Sequence, residues 1–374
     1  MIALAAALAA LGVLLAVWSY LVYPAWIARL SRSADAGSDP SGEGGSLEVV
    51  LSAADEEDVI ARRIENLLAQ ETAVPFRISI GCDGCRDRTA GAARASLGGR
   101  GRVVEFPERR GKAAVVNDLV GQSAADILIF TDANTLFDPG AVAELSRAFR
   151  DPAVGAACGR LVLESTSSRG AAEAAFWDRE TRTKEAEGRL GVCLGANGAV
   201  YAARRAWIEP LPAGSAMDDF LIPARIARQG RKVVFAGAAV AREEAGSDVL
   251  AEVSRRFRIG AGAGQILKQE RWLFNLRRYG LLSAAFLSRK AARWLSPVLV
   301  LAAAAAGLGD ARLRPAAAIV LAAALLLALS AAARPRLPGA LGGLYYFCVI
   351  NIALAAGVVA GIFGYRRPVW QRRR

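Results

Sequence analysis

The sequence predicts an α/β domain built on a doubly wound, mainly parallel sheet and flanked by transmembrane helices, one N-terminal and about three C-terminal. Between residues 47 and 131, short β-rich runs alternate with helical patterns, an order typical of a parallel sheet. On either side of a mixed region at 30–290, long stretches carry no charge, and hydrophobic residues make up 54% of the 374-residue chain. A chain of this length holds one sizeable soluble domain and a few spans.

The strands of the predicted sheet are four short β-rich runs, at Leu47–Ser52, Phe76–Gly81, Arg102–Phe106 and Ile127–Thr131. Helices are expected between them, at Asp55–Gln70, Asp87–Ala95 and Lys112–Ser123. In the first helix, the acidic residues 55–58 are expected to lie at the positive end of the helix dipole. The buried stripe of this helix is expected to be Ile60, Ile64, Leu67 and Leu68.

Polar residues follow each predicted strand. They are Asp55 and Glu56 after the first strand, Asp83 after the second, Lys112 after the third, and Asp132 and Asn134 after the fourth. In a doubly wound sheet, ligands bind beyond the carboxyl ends of the strands. The spacing therefore predicts that positively and negatively charged side chains lie together at one edge of the sheet. A ligand that contains phosphates and a metal requires charges of both signs.

The first 28 residues are expected to form a membrane anchor. They carry no charged side chain, their C-terminal part contains four aromatic residues, and Arg29 and Arg32 follow. Aromatic residues at the interface and cations on the cytoplasmic side are typical of a span. The alternative is a cleavable signal peptide, but the stretch lacks a basic start and its apolar run is long for one.

Three further apolar stretches, 294–309, 315–333 and 337–365, are expected to be C-terminal spans. The first has only 16 uncharged residues and contains Pro297, so an interfacial or re-entrant segment is the alternative. Three spans are favoured because a Gly-Asp-Ala-Arg turn follows this stretch, as in a helical hairpin. Three spans place the basic tail 366–374 outside, against the positive-inside tendency, whereas two spans place it in the cytoplasm.

The net charge of +12 is attributed to contact with a membrane rather than with nucleic acid. Arginine clusters flank the apolar segments, where cations meet lipid headgroups. Residues 254–293 interleave cations with aromatic side chains and are expected to form interfacial amphipathic helices. A segment that binds RNA can have the same composition, but the adjoining membrane spans favour lipid as the partner of this segment.

The chain has five cysteines and no histidine. Cys82 and Cys85 form a lone C-x-x-C, which lacks the usual partners of a zinc site. Two reduced thiols in a loop are therefore expected, and a redox pair is the alternative.

Seven segments resemble, in the same order, the motifs of family 2 glycosyltransferases. They are Val50–Glu57, similar to the strand and turn "IIPAYNEE"; Asp83–Thr89, similar to "DGSxDxT"; Arg110–Asn117, similar to "GKxxALN"; Phe130–Asn134, similar to "FTDAD"; Gly195–Ala199, similar to the glycine-rich acceptor-side loop; Met217–Leu221, similar to "TEDxxL"; and Arg255–Ile259, similar to "QxxRW". The resemblance extends over about 47–265. With apolar segments on both sides, the likeness is greatest to the cellulose-synthase-like membrane branch.

The resemblance implies a GT-A fold, a nucleotide-diphosphate sugar as donor, Mg²⁺ or Mn²⁺ as cofactor, and inversion at the anomeric carbon. It assigns donor binding to Glu56, Asp83, Lys112, Asp132 and Arg258, and the acceptor side to Gly195, Asn197 and Gly198. Two departures from the family pattern bear on these assignments. Cys82 stands where the family often has a further Asp, and Ile259 stands where processive synthases have Trp, which argues against a polymer synthase.

Asp132 and Asn134 are the expected metal ligands. Loss of a nucleoside diphosphate leaves two negative charges, which a hard divalent cation offsets while it is held by oxygen ligands. An isolated Asp-x-Asn at a strand end is more often an ordinary turn. Because Asn134 stands where the family has a second Asp, Asp132 is expected to hold the metal largely alone.

Asp219 is the expected catalytic base. The acceptor hydroxyl loses its proton as it attacks, and in a chain without histidine a carboxylate is the natural base. Asp219 matches the base of the family, and the adjacent Asp218 is expected to raise its pKa. The alternative is that these two carboxylates only begin a helix.

The function predicted from the sequence is inverting, metal-dependent transfer of a sugar, from a UDP-sugar, to a polysaccharide or lipid-linked acceptor at the cytoplasmic face of the inner or plasma membrane. The alternative is a non-catalytic nucleotide- or sugar-binding membrane subunit of a polysaccharide assembly system. A membrane nucleotidyltransferase would need a Gly- and Arg-rich first turn, whereas 52–58 is acidic. The expected domains are an anchor (1–28), a linker (29–46), a catalytic domain (47–253), interfacial helices (254–293), membrane segments (294–365) and a basic tail (366–374).

Overall fold

The structure, a computed structural model, describes residues 2–33, 45–164, 168–244, 249–330 and 339–365. Most of the predicted linker and all of the basic tail lie outside these ranges. The chain forms two compact units. The sheet unit is built from Ala28–Ser165 and Glu173–Ala245, and the helical unit from Met1–Ile27 and Gly246–Arg366.

The sheet unit contains eight strands in the described ranges. They are β1 (Leu47–Ala53), β2 (Phe76–Asp83), β3 (Gly101–Phe106), β4 (Ile127–Thr131), β5 (Leu136–Phe137), β6 (Val154–Glu164), β7 (Tyr201–Arg204) and β8 (Lys232–Glu244).

The α-helices of both units are numbered along the chain. They are α1 (Ile2–Val17), α2 (Tyr23–Leu30), α3 (Ile60–Leu68), α4 (Thr89–Leu97), α5 (Lys112–Gly121), α6 (Ala141–Arg147), α7 (Ser168–Arg189), α8 (Asp218–Arg228), α9 (Val249–Gln269), α10 (Leu276–Ala285), α11 (Ala292–Gly307), α12 (Arg314–Ser330) and α13 (Gly339–Ile362).

The strands form one mixed sheet in the order β3-β2-β1-β4-β7-β6-β8-β5. The four predicted strands pair in parallel, as expected. The sheet as a whole is less parallel than predicted, because β7 is antiparallel to both β4 and β6, and β5 is antiparallel to β8. The predicted succession ended at Thr131, and all the antiparallel pairs involve strands that follow it.

Helix α3 begins at Ile60, five residues later than predicted. The acidic residues before it form a turn, in which Asp55 has a positive φ of 58°. The Asp55 carboxylate accepts a hydrogen bond from the backbone N of Arg86 (2.8 Å) and pairs with the Arg109 guanidinium (2.6 Å). The expectation of a helix dipole over 55–58 is therefore wrong, because Asp55 binds the neighbouring loops instead.

Apolar side chains from β1, β2 and β4 form a single core with the helices that cover them. The fully buried residues at its centre include Val49, Leu51, Ile78, Ile80 and Ile129. Parallel strands covered on both faces are continuous apolar runs, which is why these strands were visible in the sequence. Full burial of each such side chain contributes about 1.5–3 kcal/mol.

In the helical unit, α9 packs against α13 with the two backbones in direct contact. A Cβ atom on Gly357 would lie 2.2 Å from the carbonyl oxygen of Phe257, and one on Gly361 would lie 2.1 Å from that of Ala261. Gly260 and Gly264 approach α13 in the same way. Only glycine fits at these positions, so small residues set the spacing of the helix pair.

Two helical segments in the described ranges are long and apolar enough to cross a membrane, Ile2–Ser33 and Leu341–Ile362. Helix α12 is apolar but has only 17 residues. The stretch predicted at 294–309 lies in α11 and in the turn that leads to α12, as a helical hairpin requires. The number of spans stays a prediction.

Candidate functional site

The carboxyl ends of β1, β2 and β4 carry most of the polar residues that the sequence predicted. Lys112, the first residue of α5, donates a hydrogen bond to Asp132 Oδ1 at 2.9 Å. The same ammonium group lies 3.3 Å from Asp218 Oδ2. Lys112 therefore links the carboxylate that follows β4 with the carboxylate that begins α8.

The charge of Lys112 is fixed by these neighbours. Burial by itself would lower its pKa, but the carboxylates of Asp132, Asp218 and Asp219 outweigh burial and raise the pKa above its usual value. Lys112 is therefore a permanent cation at neutral pH. It provides the positive charge that an anionic ligand at this edge requires.

Gly198 lies between two of the carboxylates. A Cβ atom placed on it would lie 3.6 Å from Asp132 Oδ2 and 3.7 Å from Asp219 Oδ2. The backbone N of Ala196 donates to the carbonyl oxygen of Asp219 (2.9 Å), which joins the loop at 195–199 to the start of α8. Because Gly198 has no side chain, the space that both carboxylates face stays open.

Asp218 and Asp219 differ in their surroundings. Asp218 is buried and accepts a hydrogen bond from the hydroxyl of Tyr201 at 3.1 Å. Burial raises the pKa of Tyr201 well above its usual value, and the nearby carboxylates add to the shift, so this hydroxyl stays a donor. Asp219 is only partly buried. Asp218 is thus held by Lys112 and Tyr201, whereas Asp219 is the more accessible of the two.

The other predicted acceptor-side residues shape the loop that carries Gly198. Asn197 is buried; its amide nitrogen donates to the carbonyl oxygen of Gly159 (2.8 Å), and its amide oxygen accepts from Lys184. Gly195 has a φ of 74°, in the left-handed region that favours glycine. Gly198 is the one of the three that faces the carboxylates.

Asp83 holds the loop that precedes Lys112. It is buried, and its two oxygens accept hydrogen bonds from the backbone N atoms of Arg110 (2.7 Å) and Gly111 (2.8 Å). The structure therefore connects Asp83 to the Lys112 loop directly. Glu56 is also buried, in the turn after β1, where its backbone N donates to the hydroxyl of Thr89 (2.8 Å).

The oxygen atoms around Gly198 are suited to a hard divalent cation. Asp132, the carboxylate near Gly198 to which the metal is assigned, has about a third of its side chain exposed (36%). Asn134 is exposed in the turn after Asp132. Carboxylate and amide oxygens are the ligands that Mg²⁺ and Mn²⁺ prefer. The donor set therefore fits the expected metal.

A second group of possible metal ligands consists of Asp55, Cys85 and Asp87, whose ligand atoms all lie within 4.8 Å of one another. Asp55 already pairs with Arg109, and Asp87 accepts hydrogen bonds from the turn after β1 and from Thr89. Cys82 and Cys85 form no disulfide, but only Cys85 lies in a loop, because Cys82 is buried in β2. Both carboxylates of this group therefore bind the loops around them.

Arg258, which the motifs assign to the donor, lies in α9, within the helical unit.

Three residues of the sheet unit that contact the site were not predicted: Tyr201, Lys184 and Arg63. Lys184 lies on a strongly polar helix, and its burial under the 195–199 loop has no signal in the sequence. Tyr201 begins a short strand that no motif marks, so only its pairing with β4 brings it to Asp218.

The chain is similar to a glycosyltransferase family model and to curated proteins of rhizobia. A family model described as "Glycosyltransferase like family 2" matches residues 45–262, more than half of the chain. The succinoglycan biosynthesis protein ExoU of Rhizobium meliloti (strain 1021) is 35% identical over 99 residues, 26% of this chain and 28% of that protein. An N-acetylglucosaminyltransferase of Rhizobium leguminosarum bv. trifolii is 28% identical over 127 residues, 33% of this chain and 70% of that protein. The chain thus spans less than a third of the first relative.

A similar solved structure is the mannosyltransferase PcManGT from Pyrobaculum calidifontis, in complex with GDP-Man and Mn²⁺. It is 21% identical to this chain, with a TM-score of 0.66 over 95% of this chain and 99% of the other. At this level of identity, the similarity shows a shared fold.

Proposed function

Because the chain belongs to glycosyltransferase family 2, we propose that it transfers a sugar from a nucleotide-diphosphate sugar, with inversion and with a divalent cation, to a polysaccharide or lipid-linked acceptor. The observation that carries this proposal is that the carboxylates of Asp132 and Asp219 both lie near Gly198 and face the same open space. Lys112 adds a permanent cation next to them.

The donor is assigned to the Asp132 side of this space. Mg²⁺ or Mn²⁺, when bound, offsets the negative charge of the leaving diphosphate, and Asp132 with Asn134 would hold it. Lys112 adds a second positive charge, and Asp83 fixes the loop that presents it. Glu56 and Arg258 are assigned to the donor by their motifs. A UDP-sugar is the proposed donor, although PcManGT was solved with GDP-Man and Mn²⁺.

The acceptor is assigned to the Asp219 side. Its hydroxyl oxygen forms the new bond to the anomeric carbon as the bond to the diphosphate oxygen breaks, and the hydroxyl proton passes to Asp219. Asp219 is suited to this role because it is accessible, whereas Asp218 is held by Lys112 and Tyr201.

The enzyme is proposed to be a multi-pass protein of the inner or plasma membrane with its catalytic domain in the cytoplasm. The apolar helices Ile2–Ser33 and Leu341–Ile362 support membrane association. Nucleotide sugars are made in the cytoplasm, and Arg29 and Arg32 follow the first span in the way typical of that side. Lipids, rather than nucleic acid, are the proposed partners of the basic clusters.

The test is donor turnover by the purified protein in detergent, with and without Mn²⁺. UDP-glucose, UDP-N-acetylglucosamine and GDP-mannose are supplied in turn, and release of the nucleoside diphosphate is measured. We expect turnover of a UDP-sugar that requires the metal and is abolished in Asp132→Ala. Binding of the nucleotide without turnover of any donor would instead favour the non-catalytic subunit, which no feature of the site supports.

A further inference from the structure

An arginine without exposed surface lies beneath the turn that carries Asp132. Arg63 is on α3, and its guanidinium donates to the hydroxyl of Thr131 (2.7 Å) and to the amide oxygen of Asn66 (2.5 Å). Its guanidinium carbon lies 4.2 Å from the centre of the Phe137 ring. Arg63 thus contacts both ends of the segment 131–137.

Burial of this charge is costly, and apolar neighbours could fill the same volume at no such cost. Burial lowers the pKa of Arg63 to about 9, and the carboxylates of Asp132 and Glu243 oppose the shift. The group therefore stays cationic at neutral pH. Its Nε atom has no hydrogen-bond partner among the described residues, which adds to the cost of burial.

The far end of the segment is fixed through Asn66. The side chain of Asn66 makes two hydrogen bonds to the backbone of Phe137, accepting from its N (2.8 Å) and donating to its O (2.9 Å). Arg63 holds the amide of Asn66 in the orientation that both bonds need. In the middle of the segment, the hydroxyl of Thr135 donates to Glu243 (2.5 Å).

The near end of the segment is tied to the loop of Gly198. The Thr131 hydroxyl that accepts from Arg63 donates its own proton to the carbonyl oxygen of Ala199 at 2.7 Å. Thr131 directly precedes Asp132, and Ala199 directly follows Gly198. One buried hydroxyl therefore links the donor-side turn to the acceptor-side loop, beside the pairing of β4 with β7, and Arg63 binds that hydroxyl.

We propose that Arg63 is a positioning residue that, through Thr131 and Asn66, holds Asp132 in place for the divalent cation. The inference rests on the proposed function, since it requires that Asp132 bind the metal. Groups that orient metal ligands without touching the metal typically change metal affinity by 10–100-fold when they are altered.

The experiment measures Mn²⁺ affinity directly, by electron paramagnetic resonance titration of the purified protein in detergent with saturating UDP. We expect Arg63→Lys, which keeps the charge but not the two directed bonds, to bind Mn²⁺ about 10-fold more weakly. Thr131→Val, which removes the hydroxyl at constant shape, is expected to do the same. Thr131→Ser, which restores the hydroxyl, is expected to bind like the wild type.

Arg102→Lys is the matched control. Arg102 also bonds side chains within the sheet, Ser79 and Glu48, but it lies at the start of β3, away from the carboxyl ends. Equal Mn²⁺ affinity in the wild type, Arg63→Lys and Thr131→Val would overturn the proposal, as would an equal loss in Arg102→Lys. If the wild type binds Mn²⁺ but turns over no donor, the proposed function is wrong, and the Mn²⁺ affinities of the variants still decide whether Arg63 positions Asp132. A wild type that binds no Mn²⁺ overturns both.

Discussion

Asp218 and Asp219, the two neighbouring carboxylates at the start of α8, differ in burial and in the groups that they contact. Asp218 accepts a hydrogen bond from a fully buried tyrosine and lies 3.3 Å from the Lys112 ammonium. Asp219 faces the open space at Gly198. A carboxylate that must take a proton needs access to the acceptor, and the partly exposed Asp219 meets this condition better than the buried Asp218.

Asp219→Asn is predicted to lower kcat by about 10²-fold or more, the usual loss when a general base is removed. Binding of the donor and of Mn²⁺ is expected to change only a few-fold, because Asp219 lies on the acceptor side of Gly198. Steady-state transfer rates and Mn²⁺ titrations check this. A much larger loss of kcat in Asp218→Asn than in Asp219→Asn would mean that the base is Asp218.

Gly198→Ala is predicted to fold normally and to lose activity. The backbone of Gly198 is outside the left-handed region, and the new Cβ atom would make only ordinary contacts, at 3.6 and 3.7 Å, with Asp132 and Asp219. The methyl group occupies the space between the two carboxylates, so we expect kcat/KM for the acceptor to fall about 10-fold or more, as reacting groups are displaced.

Gly91→Ala is the control for this prediction, because Gly91 lies on α4 and a Cβ atom there meets nothing within 4 Å. Both variants are expected to melt like the wild type. Wild-type transfer by Gly198→Ala would show that the acceptor does not enter the space at Gly198.

At the scale of elements, the α9–α13 pair depends on glycines that no side chain can replace. Gly357→Ala would place a Cβ atom 2.2 Å from the carbonyl oxygen of Phe257, so the helices must separate. We expect the free energy of unfolding to fall by about 1–3 kcal/mol, the usual cost of overpacking. Thermal unfolding in detergent, followed by tryptophan fluorescence, measures the change.

The control for the helix pair is Gly343→Ala, on the same helix α13, where a Cβ atom meets nothing within 4 Å. It is expected to change the free energy of unfolding by less than about 0.5 kcal/mol, as for other surface substitutions. Equal stability of the two variants would contradict the close packing of α9 on α13.

At the scale of the whole molecule, a GT-A-like α/β domain and an apolar helical unit are joined in one chain. The placement of the C-terminal tail depends on how many of the apolar helices cross the membrane. Helices α11 and α12 have 16 and 17 residues, each somewhat shorter than the roughly 20 that a span requires. With the catalytic domain in the cytoplasm, three C-terminal spans place the tail outside and two place it inside.

We predict three C-terminal spans, and hence that a cysteine added after Arg374 reacts with a membrane-impermeant maleimide in intact cells. The chain without the added cysteine is the control, since it has five cysteines of its own. A tail that is labelled only after the membrane is permeabilised would rule out three spans and would make 294–309 a re-entrant or interfacial segment.

The sequence by itself determined the four parallel strands and the residues at their carboxyl ends. Three of these strands, β1, β2 and β4, are largely apolar runs whose burial is a local property of composition, and β3 follows from the alternation of strands with helices. Lys112, Asp132 and Asp219 could also be predicted from the sequence. Lys112 and Asp132 follow strands of the sheet, and all three match an ordered series of motifs, both of which can be read from the order of residues alone. The start of α3 was misplaced because Asp55 binds Arg86 and Arg109, residues of other loops.

Only the tertiary structure decided which polar residues are buried and what they contact. Arg63 and Asn66 look like the exposed face of a helix in the sequence, and Tyr201 like any strand aromatic. Their partners, Thr131, Phe137 and Asp218, are 68, 71 and 17 residues away in the chain. The antiparallel placement of β7 beside β4 brings Tyr201 to Asp218. Contacts at such separation arise from the packing of the whole domain, and no local pattern of residue types encodes them.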